Sequence, residues 1–396
     1  MIPSRKYDVI VIGAGPAGAN AARFAARGGA EVLLIDRKRD PGTPVRCGEG
    51  ISAAGLERYI DPDPSFICER VNGARLYSPS GLSVEVPTLG GGYVLERKIF
   101  DRALMNQAIQ AGAEMIAETT AMGLSRDGNG AVDGVKVRHF GEDGVIPCRL
   151  VIGADGVDSR VGRWAGIRTD IRLRDMESCA QYLVADCRTD KNYCEFYLGD
   201  EVAPGGYGWI FPKGNGMANV GLGITAMKAR TAGNARAHLD RFLKLVAPRG
   251  RVVGFMIGGV PVAQTLSQIV ADGVMLVGDS ARQINPMTGG GIASGLVAGH
   301  QAGEAAAAAI RAQDVSVEGL SAYPEAWFSG VGKDHKRFFH IKEAVAKLTD
   351  ETLDRTAQIF QGVDPETVTL LKIFARVFRA QPKLLWDIRH VFLAGV

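Results

Sequence analysis

The sequence predicts a mixed α/β (α+β) fold: a parallel sheet of the dinucleotide-binding type assembled from separated segments, an inserted antiparallel sheet and a helical C-terminal region. Three observations predict it. Residues 7–36 run strand, glycine turn, alanine-rich helix and second strand, the opening of a βαβ unit. Apolar strands of the same buried, parallel type return only at 150–155 and 274–279, so one sheet is built from pieces far apart in sequence. Between them, residues 176–224 carry the strand pattern of an antiparallel layer. With 396 residues the chain can hold more than one domain. The expected boundaries are 1–66, 97–175 and 264–315 for the parallel-sheet domain, 67–96 and 176–263 for the antiparallel one, and 316–396 for the helical region.

Each element follows in order. "YDVIVI" at 7–12 is the first strand, Gly13 to Gly18 the turn, and the alanine-rich stretch to about Arg27 the helix. "EVLLID" is the second strand and ends at Asp36. A loop rich in Gly and Pro occupies 40–50, short strands with turns 68–95, and a helix Arg97 to Ala111. Residues 114–153 alternate as a small hairpin layer closing in the strand "RLVIGAD". After the strands of 176–224 come a helix at 228–247, strands around 251–263 and the buried strand "GVMLVGD" at 273–279. A Gly-rich turn opens a long alanine-rich helix at about 291–312, and beyond 318 the chain reads as helices.

Composition narrows the function classes. A net charge of +3 gives no global reason to bind nucleic acid, and 46% hydrophobic with 22% charged residues is the balance of a soluble globular protein. The six cysteines (Cys47, Cys68, Cys148, Cys179, Cys187 and Cys194) contain no C-x-x-C pair and histidine is scarce, so no metal site is expected. Scattered thiols in a long chain fit a reducing cytoplasm. Met1 to Lys6 leads straight into the first strand, so no signal peptide is expected. The longest charge-free run, between Arg282 and Glu304, is broken by glycines and holds Gln283, Asn285 and His300, which argues against a membrane span.

The opening motif is Gly13-x-Gly15-x-x-Gly18, set directly between strand and helix. Gly13 permits the tight turn, Gly15 lets backbone close on a pyrophosphate, and Gly18 lets helix and strand approach. The helix N-terminus adds N–H groups and a positive dipole, and Asp36 stands where a carboxylate can bond ribose hydroxyls. This unit alone does not separate NAD from FAD. Two further motifs do: "VIGADGVDSRVGRWAG", a strand ending in Asp155-Gly156, and "VMLVGDSARQINPMTGGGIASG", with Asp279 and Gly289-Gly290-Gly291 opening a helix. A strand-end Asp can hold a ribityl hydroxyl, and a Gly-rich helix start can meet the polar edge of a flavin.

On these three ordered motifs, spanning about residues 7–312, the chain resembles the FAD-dependent oxidoreductases that include the aromatic hydroxylases and geranylgeranyl reductases. The resemblance implies a Rossmann-type FAD-binding domain. The adenosine end would lie by Gly13, Gly15, Ala17, Gly18 and Asp36, with Asp279, Gly291 and Ile292 near the ribityl chain and ring. It also puts Arg97 near the cofactor and Ala121 near the adenine. A helix-start salt bridge is the plainer reading of Arg97. No second strand–GxGxxG–helix unit is present. Electrons would come from a transiently bound NADPH, or from ferredoxin or a reduced deazaflavin.

Two features select a branch. "PVRCGEG" follows the second strand, and "PGGYGWIFP" fits Pro204-x-x-Tyr207-x-Trp209-x-Phe211-Pro212. Together they resemble the archaeal geranylgeranyl reductases, which saturate the isoprenoid chains of membrane lipids. Aspartate at position 36 departs slightly from that pattern, where Glu is commoner. The resemblance implies that the loop holding Arg46, Cys47, Gly48 and Gly50 lies over the flavin ring. Cys47 beside Arg46 would then be a proton donor, a redox gate or a cofactor contact, against the plainer reading of an ordinary loop thiol. Tyr207, Trp209 and Phe211 alternate on a strand and so share one face. They read either as sheet packing or as the wall of an apolar lipid channel. An isolated trisubstituted alkene is a poor hydride acceptor, so hydride transfer must be coupled to protonation, with positive charge at the tertiary carbon. Aromatic faces stabilise such charge. Cys47, Tyr207, a water and the reduced flavin are the candidate proton sources.

Residues 333–347 and 370–396 carry basic residues with apolar ones at helical spacing. They read as core helices with solvated basic faces, or as a surface that meets anionic lipid at the inner face of the membrane. The rival functions are a flavin monooxygenase or halogenase, since "YGWIFP" distantly resembles the Trp-rich motif of the latter, and a non-catalytic prenyl-binding escort.

Overall fold

The computed structural model describes residues 2–87, 91–368 and 372–373. The chain divides into two compact units. The first holds the described residues up to Thr43, with Arg97–Asp170 and Ala263–Lys336; the second holds Pro44–Glu96, Ile171–Val262 and the described residues from Arg337 on.

In the first unit, parallel strands lie in the order Val274–Leu276, Glu142–Gly153, Tyr7–Ile12, Val32–Ile35, Glu114–Ile116. Val9 to Val11, Leu33 to Ile35 and Leu150 to Ile152 are all fully buried, the unbroken apolar runs of a sheet covered on both faces. Thr119–Arg126 and Val132–His139 add an antiparallel hairpin to the long strand. Helix Ile292–Ala312 packs on helix Pro16–Arg27 at very short range. A Cβ added to Gly299 would lie 2.2 Å from Ala17 O, and one added to Gly303 2.5 Å from Ala21 O. The contacts advance together along both helices, so the two run parallel. Their N-termini, each carrying unpaired N–H groups and partial positive charge, therefore point the same way.

The second unit centres on a seven-stranded sheet ordered Arg251–Val260, Glu177–Ala185, Ala218–Thr225, Tyr207–Pro212, Tyr193–Tyr197, Gly73–Tyr77, Ser83–Val86. Its neighbours are antiparallel except for one parallel pair, Tyr193–Tyr197 with Gly73–Tyr77. One face carries Ala180, Tyr182, Val184, Ile210, Val220, Leu222 and Ile224 onto Leu239 and Phe242 of helix Ala235–Val246. Since side chains alternate along strands, Glu177, Cys179, Gln181, Asn219, Gly221, Gly223, Tyr207, Trp209 and Phe211 share the other face. A three-stranded antiparallel sheet, Gly50–Ser52, Gly92–Leu95 and Ile67–Val71, completes the unit.

Three boundaries differ from the sequence reading. Residues 44–66 belong with the antiparallel unit, because Gly50–Ser52 pairs with Gly92–Leu95. The C-terminal helices do not form a region of their own. Trp327 is fully buried in the first unit and donates to Thr265 Oγ1 at 3.2 Å, whereas Ala357, Phe360 and Val368 pack on Val84 and Val86 of the second. The helix expected at 228–247 is two, Ala226–Ala229 and Ala235–Val246. Gly233 breaks it at φ +101, and the Asn234 side chain caps the second helix by accepting from Ala237 N at 2.9 Å. The basic segment read at 370–396 lies outside the described residues apart from Lys372 and Ile373. Among the described residues, no helix is long and apolar enough to cross a membrane.

Candidate active site

In the first unit the glycine turn packs closely on the strand that ends at Gly153. A Cβ on Gly18 would fall 1.8 Å from Gly13 O, and one on Gly13, at φ +106, would fall 2.3 Å from Ala154 O. These two glycines are demanded by the protein's own packing. Gly15 is different. It caps the helix at φ −71 and ψ 179, a conformation open to any residue, and an added Cβ would meet no atom within 4 Å. Glycine serves as a helix cap there, and the open space in front of it fits a pyrophosphate held on the helix N-terminus. Asp36 accepts from Ala14 N and from Lys38 N, each at 2.8 Å, so it also pins the turn. A carboxylate has lone pairs left for two more donors.

The late motif faces the second helix N-terminus. A Cβ on Gly291 would lie 3.4 Å from Asp279 Oδ1, which sets that carboxylate beside the start of helix Ile292–Ala312. Burial pushes Asp279 up to about 6, with the Arg97 charge working against it. The turn between is fixed by Gln283, which accepts from Gly278 N at 2.8 Å and donates to Tyr323 Oη at 2.8 Å. Arg97 forms the helix-start ion pair: its guanidinium grips Asp101 at 2.8 and 2.9 Å. Asp155 caps the helix Arg160–Trp164 through Oδ2, accepting from Arg160 N and Val161 N, while its buried Oδ1 has no partner among the described residues. Ala17 directs its methyl toward Gly278 and Gly295 in the helix crossing, so only its backbone is left for a cofactor. Ala121 is half-buried in the hairpin opposite Val137. Ile292 is buried at the helix start.

The second unit carries the aromatic row. Tyr207, Trp209 and Phe211 lie opposite Gly223, Gly221 and Asn219 of the neighbouring strand, which in turn oppose Cys179, Gln181 and Leu183. The two glycines leave the middle strand bare, so side chains of the flanking strands meet across it. The Trp209 indole lies over Gly221, where a Cβ would come within 2.5 Å of the ring, and its Nε1 donates to Gln181 Oε1 at 2.8 Å. Phe196 packs edge-on against both Tyr207 and Phe211, with centroids 5.5 Å apart in each case. Burial, followed by the charges of Cys179, Glu177 and Cys47, pushes the Tyr207 phenol well up, so it stays protonated.

The loop 44–50 meets this row within the same unit. Gly48 and Gly50, expected at the cofactor, give way to the Phe211 ring: a Cβ on either would lie 3.1 Å from Phe211 Cε2. Cys47 O accepts from Gln181 Nε2 at 3.2 Å, and Cys47 Sγ accepts from Glu49 N at 3.2 Å. Arg46 lies over Gly258.

Sequence reasoning missed the charges that anchor this loop. Glu49 is buried and held at φ +74, a left-handed conformation costly for a side chain of its size. Lys213 Nζ donates to it at 2.6 Å, to Leu95 O at 2.9 Å and to Glu96 at 3.1 Å; Asn219 Nδ2 adds 2.7 Å. Burial pulls the Lys213 ammonium down, but Glu49 outweighs it and the net shift is upward. The only sequence signal was a lysine directly after the aromatic motif and a glutamate inside "CGEG".

Comparison with known proteins agrees with both halves. Residues 175–260 match the geranylgeranyl reductase catalytic domain, and residues 7–65 match the pyridine nucleotide-disulphide oxidoreductase family. The chain is 44% identical to digeranylgeranylglycerophospholipid reductase 2 of Methanococcoides burtonii, over 98% of this chain and 96% of that protein. Among solved structures, a geranylgeranyl bacteriochlorophyll reductase-like protein of Thermoplasma acidophilum superposes with a TM-score of 0.92 at 36% identity, covering 98% of this chain and all of that one. A halogenase, PltM, crystallised with FAD, superposes at 0.69 with 15% identity over 98% of this chain and 96% of that one; this likeness is one of fold.

Proposed function

The chain belongs to the digeranylgeranylglycerophospholipid reductases, FAD-dependent oxidoreductases, and from this we propose that it saturates the isolated C=C bonds of geranylgeranyl chains in archaeal membrane lipid precursors, with FAD on its glycine turn and the isoprenoid on its aromatic sheet face. The observation that carries the reading is the bare middle strand: Gly221 and Gly223 clear the sheet beneath a row of four edge-packed rings. Cofactor roles for Gly13, Gly15, Gly18, Asp36, Asp279, Gly291 and Ile292 are supported by the open space at Gly15, the paired helix N-termini and the unpartnered Asp155 Oδ1. Arg97, through its charge on Asp279, and Ala121 would be the further cofactor positions. When bound, FAD supplies the hydride.

The protein's part is to hold the alkene and to manage charge. Aromatic faces attract a cation by about 0.5–2 kcal/mol each, so they favour the tertiary centre as it becomes positive. Gln181 fixes the Trp209 plane through its hydrogen bond, and Cys47, tied to the same Gln181, borders the row. No second glycine-rich dinucleotide unit occurs in the sequence, which supports a donor that docks transiently: NADPH, ferredoxin or a reduced deazaflavin. Exposed Lys333 and Lys336 support a peripheral contact with anionic lipid.

The test is anaerobic incubation of the dithionite-reduced, FAD-loaded protein with a digeranylgeranylglycerophospholipid, read by mass spectrometry. Gains of two hydrogens per double bond are expected. Product formation that consumes oxygen would instead mark a monooxygenase or halogenase, and lipid bound but unreduced an escort. Trp209→Ala is expected to lower turnover per folded, FAD-loaded molecule about tenfold, roughly the loss of one desolvated cation–π contact. A variant that melts early yet turns over normally would make Trp209 sheet packing only.

A further inference from the structure

Glu177 stands at the Tyr207 end of the aromatic row. It lies on the same strand face as Cys179 and Gln181, which oppose Tyr207 and Trp209 across the two bare glycines. Its Oε2 is buried with no partner among the described residues. That oxygen lies 3.2 Å from the position of a Cβ on Gly206 and 3.8 Å from one on Gly223, so it is aimed over the strand that carries Tyr207.

The hydrogen bonds say which form the carboxyl takes. Thr225 Oγ1 lies 3.3 Å from Glu177 Oε1 and 3.1 Å from Gly205 O. A hydroxyl has one hydrogen, and a carbonyl can only accept. If Glu177 were ionised, two acceptors would compete for that hydrogen. A protonated Glu177 donates from Oε1 to Thr225 Oγ1, which passes its own hydrogen to Gly205 O, and Oε2 alone is left without a partner among the described residues, on the side of the strand that carries Tyr207. Charge points the same way. Burial pushes Glu177 up to about 8, against the pull of Lys342 and the Thr225 contact. The other titratable groups facing this corner are Cys179, Tyr207 and Cys47, none of them a cation.

Resting on the reductase reading above, we propose that Glu177 is a positioning residue that stores the proton consumed in each alkene reduction and delivers it to the aromatic row at Tyr207. The step balances. One alkene carbon takes the hydride supplied by reduced FAD, and the other takes the proton of the Tyr207 hydroxyl. Two C–H bonds form as the C=C π bond breaks. The Tyr207 oxygen recovers its proton from Glu177, and the Glu177 carboxylate recovers one from water.

The test compares wild type, Glu177→Gln and Glu177→Asp as full-length, FAD-loaded protein in the anaerobic assay from about pH 6 to about pH 9. Wild-type turnover should fall as pH rises through about 8, where Glu177 loses its proton. Glu177→Gln should be slower by about a hundredfold or more, with that falling limb gone and FAD content unchanged. Glu177→Asp, which keeps an acid, should recover part of the rate and a falling limb. A stability readout has its own sign. Because the folded value is raised from 4.5 to about 8, the wild type loses stability as pH climbs between those values and levels off above, and Glu177→Gln does not. Glu177→Gln turnover at the wild-type rate overturns the inference, as does a loss that merely follows lost FAD or unfolding, or a wild-type profile flat across this range. A wild type that yields no two-hydrogen gain overturns the reductase reading itself.

Discussion

Gly15→Val is expected to fold, to melt close to the wild type and to purify without flavin colour. The backbone at position 15 suits any residue, and the new side chain meets no protein atom. Valine is a poorer helix cap than glycine, but that costs only about 1 kcal/mol. What it removes is the space where backbone N–H groups close on a pyrophosphate, so the loss falls on binding. Gly18→Ala makes the contrast, because its Cβ would lie 1.8 Å from Gly13 O and the turn itself must break. Flavin absorbance and a thermal melt of the two variants separate the cases. A yellow, fully loaded Gly15→Val protein would remove the cofactor from this turn.

Lys213→Ala is expected to destabilise the antiparallel unit by about 3–5 kcal/mol, the usual cost of leaving one member of a buried ion pair unmatched. Lys213 and Glu49 side chains are 7% and 5% exposed, so water cannot replace the lost ammonium. Glu49 would then be held at a strained φ without its ammonium partner, though still bonded to Asn219, and the loop carrying Cys47 would loosen with it. The double variant Glu49→Gln/Lys213→Ala should recover much of the loss, since it removes the stranded charge. Denaturant melts of the single and double variants measure this coupling. A Lys213→Ala single variant as stable as the wild type would show the pair to be of no structural weight.

The parts of the candidate site that could be read from sequence were those written in local spacing. Gly13, Gly15 and Gly18 sit between a strand and a helix, and Tyr207, Trp209 and Phe211 alternate along one strand. What escaped depends on cross-strand register. Gln181 meets Trp209 only because Gly221 lies between them, and no spacing along the chain reports which three strands are neighbours. The same holds for Lys213, Asn219 and Glu49, which converge from segments some 165 residues apart (Lys213 to Glu49 is 164). Ala17 was read by its place in a motif, yet its methyl answers to a helix whose glycines are nearly three hundred residues downstream. The loop 44–66 was assigned by proximity to the first βαβ unit, whereas strand pairing with Gly92–Leu95 decides where it goes. The broken helix at 231–234 had its signal in Gly233-Asn234, a glycine with a capping residue, and was smoothed over.

The seven-stranded sheet has a bearing on how such a protein can diversify. Odd-numbered positions from 207 to 211 face one way, while Ile210 and the even-numbered 220, 222 and 224 face the helical layer. With the isoprenoid on the odd-numbered face, as proposed, selection for folding would act mainly on the second set and selection for a different lipid mainly on the first. Neighbouring residues along one strand can therefore drift almost independently. A library randomised at Cys179, Phe196 and Phe211 would search chain-length and head-group preference while leaving Val220, Leu222 and Phe242 to keep the protein folded. The antiparallel strand, with its repeat of two, makes new specificities reachable by single substitutions.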